Sequence, residues 1–317
     1  MSGAHDRAQP GKDHMRVTEE VTAAQADGRA VVALESTILA HGLPPGRNRT
    51  VATAIEDAVR AAGAVPATIA VLDGQIRVGL TAAELDRVCA PDAELAKLSA
   101  RDLGPAVALN RDGATTIAST SVIAYAARIP VFGTGGLGGV HLPPPGEAKS
   151  WDVSADLEVL ATTPVTVVCS GVKSVLDIGA TIEVLETRSV PVIGYRTNSF
   201  PAFYRRESRF PVPWRVDNPA DAAAVIAAHR AQGPGSGVLL TNPIPEASEM
   251  DRTLHDRLLA EGMAKVAADD VRGGDVTPVL LEHFHTASEG VSLDANEALV
   301  LANVALAAEV AVALTQL

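Results

Sequence analysis

The alternation of strand-like and helix-like segments constrains the fold of this chain more than any other feature of its sequence. Short apolar runs rich in β-branched residues are typical of buried strands, and amphipathic segments between them are typical of helices. We predict strands at 30–35, 68–72, 75–78, 130–133, 165–169, 190–195 and 238–241, and helices at 18–25, 48–62, 81–88, 119–127, 174–187, 220–232, 246–268 and 298–317. This order predicts an α/β fold in which a mixed, mostly parallel sheet lies between helix layers.

One domain is the simplest organisation for a chain of 317 residues without internal repeats. We expect residues 1–18 to form a flexible tail and residues 19–317 to form this single domain. Within it, Asp73 and Gly74 separate two predicted strands and are typical of a tight hairpin turn.

The last predicted helix, 298–317, is the most apolar long stretch of the chain. Asn303 and Glu309 interrupt it, so we expect a buried core helix rather than a membrane span. Ser292 and Asp294 precede it and are candidates for its N-terminal cap.

Charge and cysteine content exclude several classes of function. A net charge of −12 argues against a protein that binds a nucleic-acid backbone, and it gives no support to binding at an anionic membrane. A small anionic substrate stays possible, because a local cluster of donors can oppose the overall charge. Cys89 and Cys169 are far apart, which fits a reducing cytoplasm and excludes a cysteine-only zinc site. No apolar signal-peptide core is present in residues 1–15, so we expect a cytoplasmic protein.

Lys173 follows the predicted strand 165–169 after a Ser170-Gly171 break. Ligands of parallel α/β sheets bind at the carboxyl ends of the strands, and a lysine rooted there in apolar surroundings can act as a nucleophile. The alternative is a surface lysine on the first turn of the next helix, which this segment taken by itself favours.

A glycine-rich segment at 133–138 matches the G-x-G-x-x-G pattern and follows a strand. It could belong to a dinucleotide-binding fold, in which a helix would follow. Pro143, Pro144 and Pro145 argue against that helix, so a loop that offers backbone N–H groups to an anion is a better interpretation. A plain surface turn is the third alternative.

Two carboxylates lie four residues apart at Asp152 and Asp156. Together with water, such carboxylates can hold a divalent metal. The alternative is a helix start, with Asp152 or Ser154 as the cap and Asp156 at the positive end of the helix dipole.

Further polar residues lie at element ends. Glu35 ends a strand and is either a rim residue facing water or a buried general acid with a raised pKa. Lys97 could hold a phosphate or pair with Asp102. His283 and His285 lack further metal-ligand spacing, and Asn296 by default caps the last helix.

In combination, these motifs resemble the pseudouridine-5′-phosphate glycosidase family, which includes indigoidine synthase A-like proteins. The similarity extends from about residue 24 to 315. It is carried by segments 34–44, 113–116, 134–141, 152–156, 169–174, 200–204, 242–245, 276–278 and 293–296. One departure is the proline-containing loop 142–151, which is longer than in many family members and lacks an arginine that they carry.

The resemblance implies a three-layer α/β/α sandwich, a homotrimer and a role for each matched residue. Lys173 corresponds to the nucleophile that forms a covalent sugar adduct, and Glu35 to the proton donor. Asp152 corresponds to the ligand of a manganese ion (Mn²⁺) that is otherwise mostly bound by water. The residues that correspond to substrate-binding positions are Lys97, Ile117, Thr134, Ser154, Ala155, Asp156 and Asn296.

The implied reaction is the reversible cleavage of pseudouridine 5′-phosphate to uracil and ribose 5-phosphate. The bond between the ribose and uracil is carbon–carbon, so the two-carboxylate route of ordinary glycosidases offers no heteroatom to protonate. A lysine imine solves this problem. Two alternatives are a paralogue of pigment-type secondary metabolism with another substrate, and a non-catalytic protein that binds a nucleotide or sugar phosphate.

Overall fold

The computed structural model describes residues 14–143, 150–233, 235–269, 271 and 276–317. Its strands are β1 (Met15–Val17), β2 (Val31–Leu34), β3 (Val65–Leu72), β4 (Gln75–Val78), β5 (Ala96–Leu98), β6 (Gly113–Thr115), β7 (Val131–Gly133), β8 (Val140–His141), β9 (Thr166–Cys169), β10 (Leu176–Asp177), β11 (Val192–Tyr195), β12 (Trp214–Val216) and β13 (Leu239–Thr241).

The helices alternate with these strands. They are α1 (Glu19–Ala26), α2 (Thr37–His41), α3 (Arg47–Ala61), α4 (Ala82–Cys89), α5 (Leu103–Ala108), α6 (Ile117–Ala126), α7 (Ala155–Thr162), α8 (Ile178–Thr187), α9 (Pro219–Ala231), α10 (Arg252–Ala268), α11 (Val276–Ala287) and α12 (Val291–Leu314).

One large sheet runs through the molecule, with the strand order β1-β4-β3-β2-β7-β9-β13-β11-β12 and with β6 joining β3 to β5. The stretch from β3 through β2, β7, β9, β13 and β11 to β12 is parallel, whereas β4 and β6 pair with β3 in the antiparallel sense. The predicted mixed, mostly parallel α/β sheet is therefore confirmed. The hairpin is confirmed too, because Asp73 and Gly74 both have positive φ, 52° and 64°, as its tight turn requires.

Helix α12 is the central helix of one layer. It packs on β2, β7 and β9 and against α3 and α9, while α6 packs on the sheet beside α7. It is long and apolar enough to cross a membrane, but Leu299, Val304 and Val310 are fully buried against the rest of the protein. Its composition is thus that of a core helix, as expected from the sequence.

Several predicted boundaries are wrong. Helix α12 begins at Val291, so Ser292, Asp294 and Asn296 lie inside it and none is its cap. Gly290, at φ 92°, occupies the N-cap position. The residues before position 298 include several polar side chains that favour a cap over a helix interior. Packing of α12 on the sheet outweighs this local preference, so the helix begins two turns earlier than predicted.

Three other predicted boundaries are also wrong. The helix predicted at 174–187 begins only at Ile178, because the chain first forms β10 against β8. The helix predicted at 246–268 consists of a 3-10 turn, Glu246–Ser248, followed by α10, which Asp251 caps. The predicted tail is too long, since Met15–Val17 form an edge strand on β4, and residues 1–13 of that tail lie outside the described residues.

Candidate active site

A cavity of about 520 Å³ opens where β2, β7 and β9 end, and we call it the carboxyl-end cavity. Four of the predicted site residues line it, namely Glu35, Lys97, Lys173 and Asn296, beside the backbone of Gly135 and Gly136. Parallel sheets place their ligands at this edge, so the site lies where the fold class predicts it.

Lys173 reaches this cavity through a sharp turn after β9. Gly171 has φ 76°, and a Cβ atom at this position would lie 2.0 Å from the carbonyl oxygen of Pro201. The Lys173 backbone N–H then donates to the Leu137 carbonyl at 3.1 Å, which ties the turn to the glycine-rich loop. The alternative interpretation of Lys173 as a first-turn helix residue is wrong, since α8 begins five residues later.

Glu35 follows β2 and faces the same cavity. Burial raises the pKa of its carboxyl group, and the nearby Asp156 carboxylate acts in the same direction. Lys173 and a hydrogen bond that the Thr134 hydroxyl donates to Glu35 Oε1 oppose this rise in pKa only in part. A carboxyl group in this setting keeps its proton to higher pH than a solvated glutamate and can donate it.

Asp156 has a different environment, which we call the loop anchor and define by Asp156, Ala118 and Gly138. The backbone N–H of Ala118 donates to Asp156 Oδ1 at 2.9 Å, and that of Gly138 donates to Oδ2 at 3.0 Å. The carboxylate therefore joins the start of α6 to the glycine-rich loop. Gly138 cannot carry a side chain, because a Cβ atom would lie 2.6 Å from Asp156 Oδ2.

The glycine-rich loop is followed by strand β8, so it does not open a helix, and the dinucleotide-binding alternative is wrong. The plain surface turn is wrong as well, because residues 134–137 are buried. In the described residues, the backbone N–H groups of Gly135 and Gly136 have no protein acceptor. They border the carboxyl-end cavity, as a loop that offers N–H groups to an anion would.

Ser154 caps α7 through a hydrogen bond from the Asp156 backbone N–H, and Ala155 is the first residue of that helix. This part of the Asp152–Asp156 segment is thus a helix start, as one alternative predicted. Ile117 begins α6 and is buried. These three residues are chain neighbours of the loop anchor and lie outside the lining of the cavity. Thr134 also lies outside that lining and contacts it through its hydrogen bond to Glu35.

Asp152 lies near His141, with 3.7 Å between Asp152 Oδ2 and His141 Nδ1. The Nδ1 atom is buried and has no hydrogen-bond partner among the described residues. Burial lowers the pKa of His141. The Asp152 carboxylate raises this pKa, whereas Lys97 and Lys173 lower it. Because the net effect is a lowered pKa, the imidazole offers a neutral nitrogen. In the described part of the chain no group of three or more acidic, histidine or cysteine side chains could hold a metal. The donors here fit a metal ion that keeps most of its waters.

Sequence reasoning missed one face of α11. Pro278, Leu281, Glu282 and His285 line the carboxyl-end cavity. Their spacing is that of one helical face, so two polar residues, Glu282 and His285, on the same face as Pro278 and Leu281 were the available signal. His285 was considered only as a metal ligand, and because it lacks metal-ligand spacing its place in the cavity was not predicted.

Asn303 was the other missed residue. Its amide lies fully buried in α12, and its Nδ2 donates to the carbonyls of Thr134 and Gly135 at 2.8 and 3.1 Å. Its Oδ1 accepts from Ser170 Oγ and Asn242 Nδ2 at 3.3 and 3.1 Å. One side chain thus ties together the ends of β7, β9 and β13.

The departure in the loop 142–151 is only partly visible, because residues 144–149 lie outside the described residues. Trp151, at the end of this loop and directly before Asp152, is 92% exposed.

The family model for indigoidine synthase A-like proteins matches residues 20–313. A pseudouridine-5′-phosphate glycosidase of Salinispora tropica is 53% identical over 301 residues, which cover 95% of this chain and 92% of that protein. Another of that name, from Streptomyces griseus, is 51% identical, with 94% of this chain and 91% of that protein covered.

Two solved structures have the same fold. The prealnumycin C-glycosynthase AlnA, in complex with ribulose 5-phosphate, superposes with a TM-score of 0.87 at 41% identity and covers 97% of this chain and 98% of its own. An indigoidine synthase A-like protein of Thermotoga maritima gives 0.85 at 33% identity, with 95% and 96% covered. The predicted sandwich architecture is confirmed, and the chain belongs to the indigoidine synthase A-like family of pseudouridine-5′-phosphate glycosidases.

Proposed function

We propose that this chain cleaves the C1′–C5 bond of pseudouridine 5′-phosphate to give uracil and ribose 5-phosphate. The observation that supports this most is a pairing within one cavity: an amine, Lys173, and a carboxyl group with a raised pKa, Glu35. A carbon–carbon glycosidic bond needs both, because carbon must be protonated and the sugar needs an electron sink.

The reaction proceeds through the sugar carbon C1′. The unprotonated Lys173 Nζ adds to C1′ as the bond from C1′ to the ring oxygen breaks. The added nitrogen passes a proton to that oxygen, so the ribose opens and a neutral secondary amine remains. The nitrogen lone pair then forms the C1′=N iminium as the C1′–C5 bond breaks, and C5 of uracil receives the proton of Glu35. Water hydrolyses the iminium, which frees Lys173 and ribose 5-phosphate, so one water is consumed for each bond cleaved.

The other residues bind and position the substrate. Lys97 lines the carboxyl-end cavity and would bind the phosphate. Asn296 Oδ1 is buried and has no protein donor among the described residues, so an N–H of the uracil ring would satisfy it. Asp156 holds the loop, because both of its oxygens already accept backbone N–H groups. Thr134 holds Glu35, while Ile117, Ser154 and Ala155 form the supporting helix ends.

Asp152 and His141 are the residues that would hold Mn²⁺, which polarises and orients bound water and sugar oxygens when present. The carboxylate of Asp152, together with water oxygens, suits manganese. Metal-dependent quenching of Trp151 fluorescence in wild-type protein and in Asp152→Asn tests this assignment without measuring turnover.

A second candidate substrate has one specific observation in its favour. The C-glycosynthase AlnA is 41% identical to this chain over nearly its full length. The same lysine chemistry could therefore serve a secondary-metabolite carbon acceptor instead of uracil. A panel of C-nucleotides and aromatic C-glycosides separates these two enzymes, and kcat/KM should be largest for pseudouridine 5′-phosphate.

The decisive experiment combines turnover with trapping. Wild-type protein should release uracil from pseudouridine 5′-phosphate, and borohydride should fix ribose 5-phosphate on Lys173. Lys173→Ala should lose both, with a rate loss of at least about 10³-fold. Uracil release at the wild-type rate by this variant would disprove the mechanism. Binding without trapping in the wild type would indicate a non-catalytic sugar-phosphate protein.

We also propose a cytoplasmic homotrimer. The free, buried Cys89 and Cys169 support a reducing compartment. Trp151, Val153 and Trp214 are large exposed apolar side chains of the kind that subunit contacts cover. Sedimentation velocity should give about three times the chain mass, and a monomer would contradict the trimer.

A further inference from the structure

A second cavity, of about 480 Å³, lies at the opposite edge of the sheet, where β7 and β9 begin. Pro130 and Pro164, which precede these strands, form part of its lining. We call it the amino-end cavity. No acidic residue is present among its described lining residues, whereas two arginines, Arg128 and Arg230, are.

Arg230 is fixed in this cavity, and the described residues offer it no counter-charge. Its Nη2 donates to the carbonyls of Pro130 and Pro164 at 2.9 and 3.4 Å. Its Nε and Nη1 groups have no protein acceptor in the described part of the chain, yet they are not sealed from solvent. Burial lowers the pKa of Arg230, and no carboxylate opposes this effect. Buried charges are normally paired, so a half-buried guanidinium with free donors lacks an anionic partner within the described ranges.

Arg128 adds a second guanidinium that is unpaired among the described residues. It is exposed, and its backbone at φ 60° ends the turn after α6. Across the ranges that the structure describes, its side chain forms neither a hydrogen bond nor an ion pair. In a chain of net charge −12, an acid-free cavity with two such groups is a local site for an anion.

The rest of the lining is suited to a ring. Ile129, Pro130 and Pro164 supply apolar surface, and Tyr125 presents a ring that is 55% exposed. The volume lies within the range of small-molecule sites, and planar guanidinium groups match phosphate oxygens in pairs. We propose that the amino-end cavity binds a phosphate monoester that carries an aromatic ring, of the nucleoside monophosphate class.

Tyrosine fluorine NMR tests this site directly, because the chain has only three tyrosines. Tyr195 and Tyr204 are buried, whereas Tyr125 borders the cavity. In protein labelled with 3-fluorotyrosine, uridine 5′-monophosphate should shift the Tyr125 resonance saturably, and Tyr125→Phe assigns that resonance. Inorganic phosphate and uridine alone should each need at least about tenfold higher concentration, since each supplies half of the contacts.

Arg128→Gln is the diagnostic variant, because this exposed side chain holds no other part of the protein. It should weaken the nucleotide titration at Tyr125 at least about tenfold. Arg111→Gln removes the same charge from an exposed site outside this cavity and should leave the titration unchanged.

Three outcomes would overturn the proposal: a Tyr125 resonance that does not respond to the nucleotide, an Arg128→Gln titration equal to that of the wild type, or phosphate alone that saturates as readily as the nucleotide. The readout does not involve turnover or Lys173, so it is independent of the proposed reaction.

Discussion

Glu35 in the carboxyl-end cavity and Asp156 in the loop anchor are both carboxyl groups of the site, but their surroundings give them different tasks. Glu35 receives one hydroxyl hydrogen bond and lies in a buried setting that raises its pKa. Asp156 receives one backbone N–H on each oxygen. Burial, with a single hydrogen bond, thus suits Glu35 to the proposed proton transfer, whereas two backbone donors suit Asp156 to holding the chain.

The largest expected effect is on the rate. Glu35→Gln keeps the shape of the side chain but removes the proton that C5 must receive, so kcat should fall about 10²–10⁴-fold. Uracil release from pseudouridine 5′-phosphate measures this. When ribose 5-phosphate itself is added, its borohydride trapping on Lys173 should persist, which separates proton transfer to C5 from imine formation. A rate loss below tenfold would place the acid elsewhere.

For Asp156, in the loop anchor, the expected effect is on the free energy of unfolding. Asp156→Asn leaves a backbone N–H facing an amide N–H, so the free energy of unfolding should fall by about 2–3 kcal/mol. Urea denaturation measures the loss. Glu158→Gln is the control in the same helix, because its pair with Arg188 is exposed and contributes at most about 1 kcal/mol. Equal losses for both variants would contradict the anchor role.

Asn303 is a second residue that holds the glycine-rich loop, and it does so from α12 through the carbonyls of Thr134 and Gly135. Asn303→Ala removes donors from two carbonyls and should lower the free energy of unfolding by about 2 kcal/mol. Through the Thr134 carbonyl it should also displace Glu35, so kcat should fall more than KM rises. Asn198→Ala, an exposed asparagine outside this network, is the matched control and should change neither quantity.

The smallest effect concerns pH. The folded pKa of Glu35 lies above its unfolded value, so the native state binds more protons between the two. Wild-type stability should therefore decrease as pH rises from the unfolded to the folded pKa and then level off. Glu35→Gln lacks this decrease and should be more stable than the wild type at alkaline pH but not in acid. Thermal unfolding across pH checks this, and a constant difference would contradict the raised pKa.

Much of the fold could be predicted because strand periodicity and helix amphipathicity are local signals. The strands β2, β7, β9 and β13 lie within one or two residues of their predicted positions. The start of α8 could not be predicted, since it depends on a pairing between β10 and β8 that only the folded chain brings together. The start of α12 was missed because packing carries the helix past its polar first turns.

The site was predictable only in part, for a similar reason. Glu35 and Lys173 follow apolar strands, and this position is visible in sequence. The partners of Asp156 are backbone N–H groups of Ala118 and Gly138, which carry no side-chain signature. The exposed arginine at position 128 likewise looks ordinary until the described residues of its cavity are seen to include no acid.

The hydroxyl of Thr134 donates to Oε1 of Glu35, so that oxygen serves as an acceptor. In the proposed reaction, Oε2 is then the oxygen that carries the proton to uracil. Proton delivery to uracil in that reaction would start from this one oxygen. In heavy water each uracil released should carry one deuterium at C5 delivered from that oxygen, and the reverse reaction must return it by the same path.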